Sequence, residues 1–269
     1  MKNAIVALVR GYNDINRYGD LIKRNLSIES IIKNNTEFNF DFILAHEGNI
    51  STDHQEYIQS HLNFIKIMFI DVTQYGPKTA FDPKKNTINN FCKPNWLSNR
   101  FPLGYKHMCH FWSIDFLNYF KEYKFIIRVD EDCVVDTLDL GILKDMEENN
   151  IYFSTPMFQG QDERLVIDGL EQLRNKFCEN YQIEITKNFN DLKCPYTNFM
   201  IVDVENINKN KIIKNFLNEI DTNGCIYSNR WGDLPIWGVI LNTFLDKKHY
   251  KEIKNIKYYH GSHNIKINY

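Results

Sequence analysis

The stretch Tyr123–Asp136 reads YKFIIRVDEDCVVD, an apolar run of strand character that ends abruptly in Asp130, Glu131 and Asp132. Acids at such a place either turn the chain into solvent or are held at the strand end to grip a cation. Side chains two apart in an extended segment point the same way, so Asp130 and Asp132 can share a ligand while Glu131 faces elsewhere. In open α/β sheets, ligands sit beyond the carboxyl ends of strands, which is where this pair falls.

Working outward, residues 4–9 (AIVALV) form an uninterrupted β-branched-rich run, as expected of a strand covered on both faces. Tyr18, Leu21, Ile22, Ile28, Ile31 and Ile32 recur at helical spacing, and FDFILA (Phe40 to Ala45) predicts a second strand. Thr52 and Gln55 read as a capping box opening a helix, and FIKIMFI (Phe64 to Ile70) as a third strand. This alternation is the signature of a parallel α/β sheet. Residues 71–104 are polar, hold Pro77, Pro83, Pro94 and Pro102, and show no period, which marks a long functional or poorly ordered loop.

Helical spacing returns over Gly104–Phe120, and a short helix near Leu138–Glu148 and a strand at Ile151–Phe153 follow the opening stretch. Val166 to Phe177 reads as a helix, NFMIVDV (Asn198 to Val204) as a strand, and Ile213 to Ile220 as a helix that Gly224 closes. RWGDLPIWGVILNTFL turns helical after its Gly-Asp turn, and a last strand falls near Ile256–Tyr259. The pattern is a single α/β domain over residues 1–269, with a mostly parallel central sheet flanked by helices.

Composition narrows the function. The 269 residues are 43% hydrophobic and 14% aromatic, enough for a substantial core. With 32 basic and 34 acidic side chains there is no electrostatic footprint for nucleic acid. The N-terminal apolar run, Ala4 to Val9, is too short for a signal peptide or a membrane span, and no other segment is long enough to span a bilayer. The expectation is a soluble, cytoplasmic protein with no transmembrane segment. Six scattered cysteines without a CxxC pair read as mostly buried thiols.

The acids suit chemistry with few, hard oxygen ligands, namely Mn²⁺ or Mg²⁺ bridging a diphosphate. His260, in YYHGSHN, arrives from a distant strand end as a further candidate metal ligand, with His263 a weaker competitor. Arg10 follows the first strand, at the edge where a nucleotide would lie. Tyr105 opens a helix whose N-terminal amides can face phosphate. Asp233 sits between Trp231 and Trp237, an arrangement that holds a sugar by stacking and hydrogen bonding; it also fits a plain helix N-cap.

Taken in order, several segments resemble glycosyltransferase family 15, the fungal α-1,2-mannosyltransferases. GYKHMCHF is similar to the family's S-Y-R-H-M-C-R-F, and YKFIIRVDED to its Y-x-W-Y-W-R-V-E-P-D. CPYTNFMI, YSNRWGDLPIWG and KYYH are similar to C-x-F-W-S-N-F-E-I, Y-E-R-W-G-D-A-P-V-H-S and G-Y-x-H. AIVALVR, FNFDFILAHEG and MEENNIYF add to the likeness, which covers most of the chain in order.

The resemblance implies a GT-A fold, a nucleotide-sugar donor (GDP-linked favoured), Mn²⁺ and a glycan acceptor. It implies retaining transfer, with mannose the leading choice of sugar. It assigns Asp130, Asp132 and His260 to the metal, and Arg10, Tyr105 and Asp130 to the nucleotide and its phosphates. Asp233 and Tyr105 fall to catalysis. Residues 1–135 become a nucleotide-binding half and 136–269 an acceptor-binding half. Three departures matter. Asp130 stands where the family's first acid is glutamate, shorter but chemically equivalent for a metal. Glu131 replaces proline, and Met200 stands where the family has the glutamate once proposed as nucleophile. A thioether forms no glycosyl ester, so double displacement through that position is excluded. Met200 also motivates the alternatives of an inactive nucleotide- or glycan-binding relative and a metal-dependent nucleotide-sugar hydrolase. The missing anchor and the Asn, Lys and Ile content point away from a fungal Golgi enzyme, toward an AT-rich microbe or a large DNA virus.

Overall fold

The computed structural model describes residues 2–73 and 100–268. The first half runs β1 (Asn3–Val9), α1 (Gly19–Lys33), β2 (Phe40–His46), α2 (Thr52–Ser60), β3 (Ile67–Asp71), α3 (Leu103–His110), α4 (Phe116–Tyr119) and β4 (Phe125–Val129). Next come β5 (Cys133–Leu138), α5 (Ile142–Glu148), β6 (Phe153–Thr155), β7 (Phe158–Gln159), α6 (Leu170–Tyr181), β8 (Cys194–Pro195) and β9 (Phe199–Asp203). The chain ends with α7 (Val204–Lys209), α8 (Lys211–Asn223), α9 (Cys225–Asn229), α10 (Asp233–Thr243), β10 (Tyr250–Glu252), β11 (Ile256–His260) and β12 (Ile265–Asn268).

Seven strands form the central sheet in the order β10-β6-β9-β4-β1-β2-β3. β4, β1, β2 and β3 are mutually parallel, as is the β6–β10 pair, while β9 runs antiparallel to both β4 and β6. Alternation along the strands gives each face its own core. Ala4, Val6, Ile43, Ala45, Ile126, Met200 and Val202 meet the α3–α4 and α6–α10 side. Ile5, Ala7, Phe42, Leu44, Phe125, Ile127, Phe199 and Ile201 meet α1, α2 and α5. Two-sided burial is the reason AIVALV carries no polar alternation.

Several local expectations shift. The cap of α2 is Ser51, whose hydroxyl accepts from the His54 amide, one residue before the expected Thr52. The helix over Gly104–Phe120 is interrupted by a π-turn at Phe111–Asp115, where the Ser113 hydroxyl donates to the Cys109 carbonyl at 2.6 Å and competes with the backbone ladder. Gly224 closes α8 in the left-handed conformation, φ +66°, as its sequence position predicts. Strand β5 was not anticipated. Cys109, Cys133, Cys178 and Cys194 are buried thiols, but Cys225 is disulfide-bonded. Residues 74–99 of the Pro-containing segment lie outside the described residues.

One contact fixes the strand end that carries the acids. Arg24, fully buried in α1, donates from Nε at 3.2 Å and Nη2 at 3.0 Å to the carbonyl of Val129, the last residue of β4. Its guanidinium also lies over the Phe42 ring, 4.9 Å from the centroid. Arg24→Ala removes both donors and the packing of the stem, and should lower the unfolding free energy by about 2–4 kcal/mol in a urea titration. A loss under about 0.5 kcal/mol, the level of an ordinary surface change, would show that the contact is idle.

Candidate active site

A cleft of about 920 Å³ opens at the carboxyl edge of the parallel strands, where Arg10, Tyr105, Asp130, Asp132, Asp233 and His260 all line it. The fold thus gathers in one place every site residue expected from the sequence. They come from the β1 exit, the start of α3, the β4–β5 turn, the start of α10 and the end of β11.

At the centre lies a residue the sequence reading passed over. Arg128 is 2% exposed and points from β4 toward the face that also carries Met200, its cross-strand partner. Its Nε and Nη2 reach the two oxygens of Asp130 at 2.7 and 2.9 Å, and Nη1 reaches Asp233 Oδ2 at 2.5 Å. The guanidinium also stacks over Trp112, 4.5 Å from the ring centroid. Burial alone would lower the Arg128 group, but Asp130 and Asp233 outweigh it and hold it above its ordinary value. A positive charge inside an otherwise apolar strand was the available signal.

The β4–β5 turn is tight: Cys133 N donates to the Asp130 carbonyl at 3.1 Å, and Asp130 N to that of Asn198 at 3.0 Å. It sends the three acids to different partners. Asp130 faces Arg128. Glu131 accepts from Arg10 Nε at 3.0 Å and from the Tyr12 hydroxyl at 3.3 Å. The carboxylate of Asp132 lies 3.3 Å from His260 Nε2 and accepts from the Ser262 amide at 3.1 Å. So Asp132 and His260 are brought together, while both oxygens of Asp130 are engaged by Arg128.

His260 is held from behind. Its Nδ1 is 2.6 Å from the Tyr196 hydroxyl and 2.5 Å from the side-chain nitrogen of Asn198. Asn198 Oδ1 is buried and has no partner. With the amide as placed, its nitrogen donates to Nδ1 and Nε2–H faces Asp132; rotated, that oxygen accepts from Nδ1–H and the Nε2 lone pair is free for a cation. This is the tautomer a metal-binding histidine needs. The donor set fits a divalent cation.

On the opposite wall, Arg230 takes a left-handed backbone, φ +68°, and donates to the Tyr105 hydroxyl at 2.7 Å and to Asp162 at 2.6 Å. Burial raises the Tyr105 hydroxyl well above its ordinary value, so it stays a neutral donor. Trp231 and Trp237 do not serve as sugar platforms. Both are fully buried, with indole N–H groups on the Asp168 and Trp112 carbonyls, because α10 packs into the core beside them. Asp233 is the first residue of α10 and does not cap it; Gly232 holds the cap position.

The sequence profile of the Glycolipid 2-alpha-mannosyltransferase family matches residues 2–265. The chain belongs to this family. It is 28% identical over 177 residues to the probable mannosyltransferase MNT3 of Candida albicans, covering 58% of this chain and 44% of that protein. It is 22% identical over 283 residues to the alpha-1,2 mannosyltransferase KTR1 of Saccharomyces cerevisiae, covering 96% of this chain and 68% of that one. The mannosyltransferase Ktr4p of S. cerevisiae superposes with a TM-score of 0.75 at 19% identity, over 96% of this chain and 70% of that one. Core-mannan synthase A of Aspergillus fumigatus, solved in a Mn/GDP form, gives 0.72 at 19% identity, over 97% and 74%. These likenesses establish the GT-A architecture. Among the described residues, no helix is long and apolar enough to cross a membrane.

The charge on Asp132 should be visible in stability. Burial pushes its carboxyl up, but hydrogen bonds with His260 and Ser262 outweigh it and hold the group well below its ordinary 3.8. A folded-state value depressed below the unfolded one stabilises the fold above about pH 4, and that contribution fades as pH falls toward the folded value. Asp132→Asn should therefore be less stable than the parent near neutrality, with the gap in urea midpoints narrowing by about pH 3. A gap that stays constant with pH would remove the charge from the account.

Proposed function

We propose that the chain is a metal-dependent retaining glycosyltransferase that moves a sugar from a nucleotide donor to a glycan hydroxyl, with mannose from GDP-mannose the leading choice. The observation that carries the reading is the convergence of Asp132 and His260, with Asp130 and Asp233 bridged by Arg128, in one cleft of a family whose named members are mannosyltransferases. A GDP complex of Ktr4p and the Mn/GDP form of core-mannan synthase A support a guanine nucleotide and Mn²⁺, with Mg²⁺ as the other hard ion.

Asp132 and His260 Nε2 would hold the cation, assisted by Asp130, whose oxygens each keep a lone pair beyond those used by Arg128. The cation supplies charge stabilisation to the departing diphosphate, a contribution on the order of several kcal/mol. Arg10 lies at the nucleotide end, its side chain 67% exposed and oriented by Glu131. Tyr105 accepts from Arg230, which leaves its own proton free to donate to a phosphate oxygen. Arg128 fixes the Asp233 carboxylate, which steadies positive charge on the transferring sugar.

Met200 is fully buried and does not line the cleft, and its thioether cannot form a glycosyl ester. This supports a front-face route, in which the leaving phosphate takes the acceptor proton and no glycosyl ester forms. It also weakens the ground for an inactive relative, since what Met200 replaces is a core position.

A thermal-shift panel of GDP-, UDP- and dTDP-sugars, with and without Mn²⁺, identifies the donor class, and the expected largest shift is with GDP-linked sugar plus Mn²⁺. Asp132→Asn should abolish transfer and Mn²⁺-dependent nucleotide binding. Unimpaired turnover in that variant would overturn the assignment. Product release without acceptor, at the rate of the best transfer, would make the chain a hydrolase.

A further inference from the structure

The carboxylate and imidazole described above have a third neighbour that the proposed reaction does not use. Cys133 opens β5 directly opposite His260 on β11, in an antiparallel pair. Residues so paired project their side chains from the same face of the sheet, with Cβ atoms about 4.5–5.5 Å apart. The sulfur lies 3.9 Å from Asp132 Oδ1, and Asp132 Oδ2 lies 3.3 Å from His260 Nε2. Ligand atoms of Asp132, Cys133 and His260 all fall within 4.8 Å of one another, the only such three-residue set among the described residues. A tetrahedral ion with bonds of about 2.0 Å to nitrogen and oxygen and 2.3 Å to sulfur separates its ligand atoms by roughly 3.3–3.6 Å. The observed spacings approach that range.

We propose that Cys133 is the third ligand of this set, and that the site takes a thiolate-preferring divalent ion of the zinc class. The inference rests on the reading of Asp132 and His260 as cation ligands, and adds to it the sulfur. Purely hard ions gain little from a thiolate, whereas Zn²⁺, Co²⁺ and Cd²⁺ are bound well by a Cys, His and carboxylate combination. The thiol is fully buried, and burial with the neighbouring Asp130 and Asp132 charges keeps it protonated until an ion binds. The Tyr258 hydroxyl is 3.6 Å from the sulfur and can turn to donate to it, and Asn198, 7% exposed with an orphaned side-chain oxygen, orients the imidazole from behind. Binding would release the thiol proton to solvent. Zn²⁺ held there competes with the hard ion that sugar transfer requires.

Titration of the intact protein with Co²⁺ and Cd²⁺ tests this without measuring activity. The expected result is one-to-one binding with a sulfur-to-metal charge-transfer band in the ultraviolet. Cys133→Ser and Cys133→Val should both lose the band, while Cys133→Ser still binds Co²⁺ through the remaining two ligands. Binding without the band in the parent, or a band that persists in both variants because another thiol supplies it, would overturn the role of Cys133 and leave the Asp132–His260 cation site standing. No binding of either ion, with no binding of Mn²⁺, would overturn both. If Cys133→Val fails to fold, the serine variant and the parent spectrum decide the matter alone.

Discussion

The site is organised by one buried cation. Arg128 gives up hydration on entering the core of the sheet, a cost only good geometry repays, and it is met by carboxylates from the β4–β5 turn and from the start of α10. Because all three groups are inside or nearly so, none can move without leaving another unpaired. The indole of Trp112 closes the remaining face of the guanidinium. Asp130 and Asp233 are 103 residues apart in the chain, yet one side chain fixes their separation.

The second constraint is topological. The parallel strands β1, β2 and β4 deliver their carboxyl ends to one edge, and β9, running the other way, delivers its amino end there with Asn198. His260 arrives by a different route. The small antiparallel sheet β12-β11-β5 folds the far end of the chain back over the acids, and a register shift at Lys257/Tyr258 lets β11 continue to pair until His260 faces Cys133. The imidazole is therefore placed by backbone pairing and then aimed by Tyr196 and Asn198.

Much of this was legible in the sequence, for identifiable reasons. Long β-branched runs and the 3.6-residue period gave the central strands and main helices, and the ends of those strands gave Arg10, Asp130 and Asp132. What escaped was set by tertiary contact. CVVDTL is a short strand whose partner, β11, is more than a hundred residues away, so nothing local marks it. Arg128 looked like an ordinary charge until burial made it a hub. Trp231 and Trp237 flank a cleft residue in sequence but are turned into the core by α10. The disulfide at Cys225 belongs to no spacing motif.

Two of the departures from the family pattern, Met200 and Glu131, make sense as a pair. A carboxylate in place of Met200 would stand directly across the strand from Arg128, beside Asp130 and Asp233. Arg128 already serves two carboxylates, so a third would add to the uncompensated negative charge in the core; with methionine there, the apolar face closes. Glu131 adds a carboxylate at the rim instead, where burial raises it above its ordinary value but Arg10 and Tyr12 satisfy it. Relative to the pattern, negative charge has moved from the core to the rim of the cleft. There it tempers Arg10, and Arg17, which lies 4.5 Å from the Tyr12 ring centroid, becomes the less encumbered cation at that rim. That shift leaves the Asp132–His260 pair beside it undisturbed.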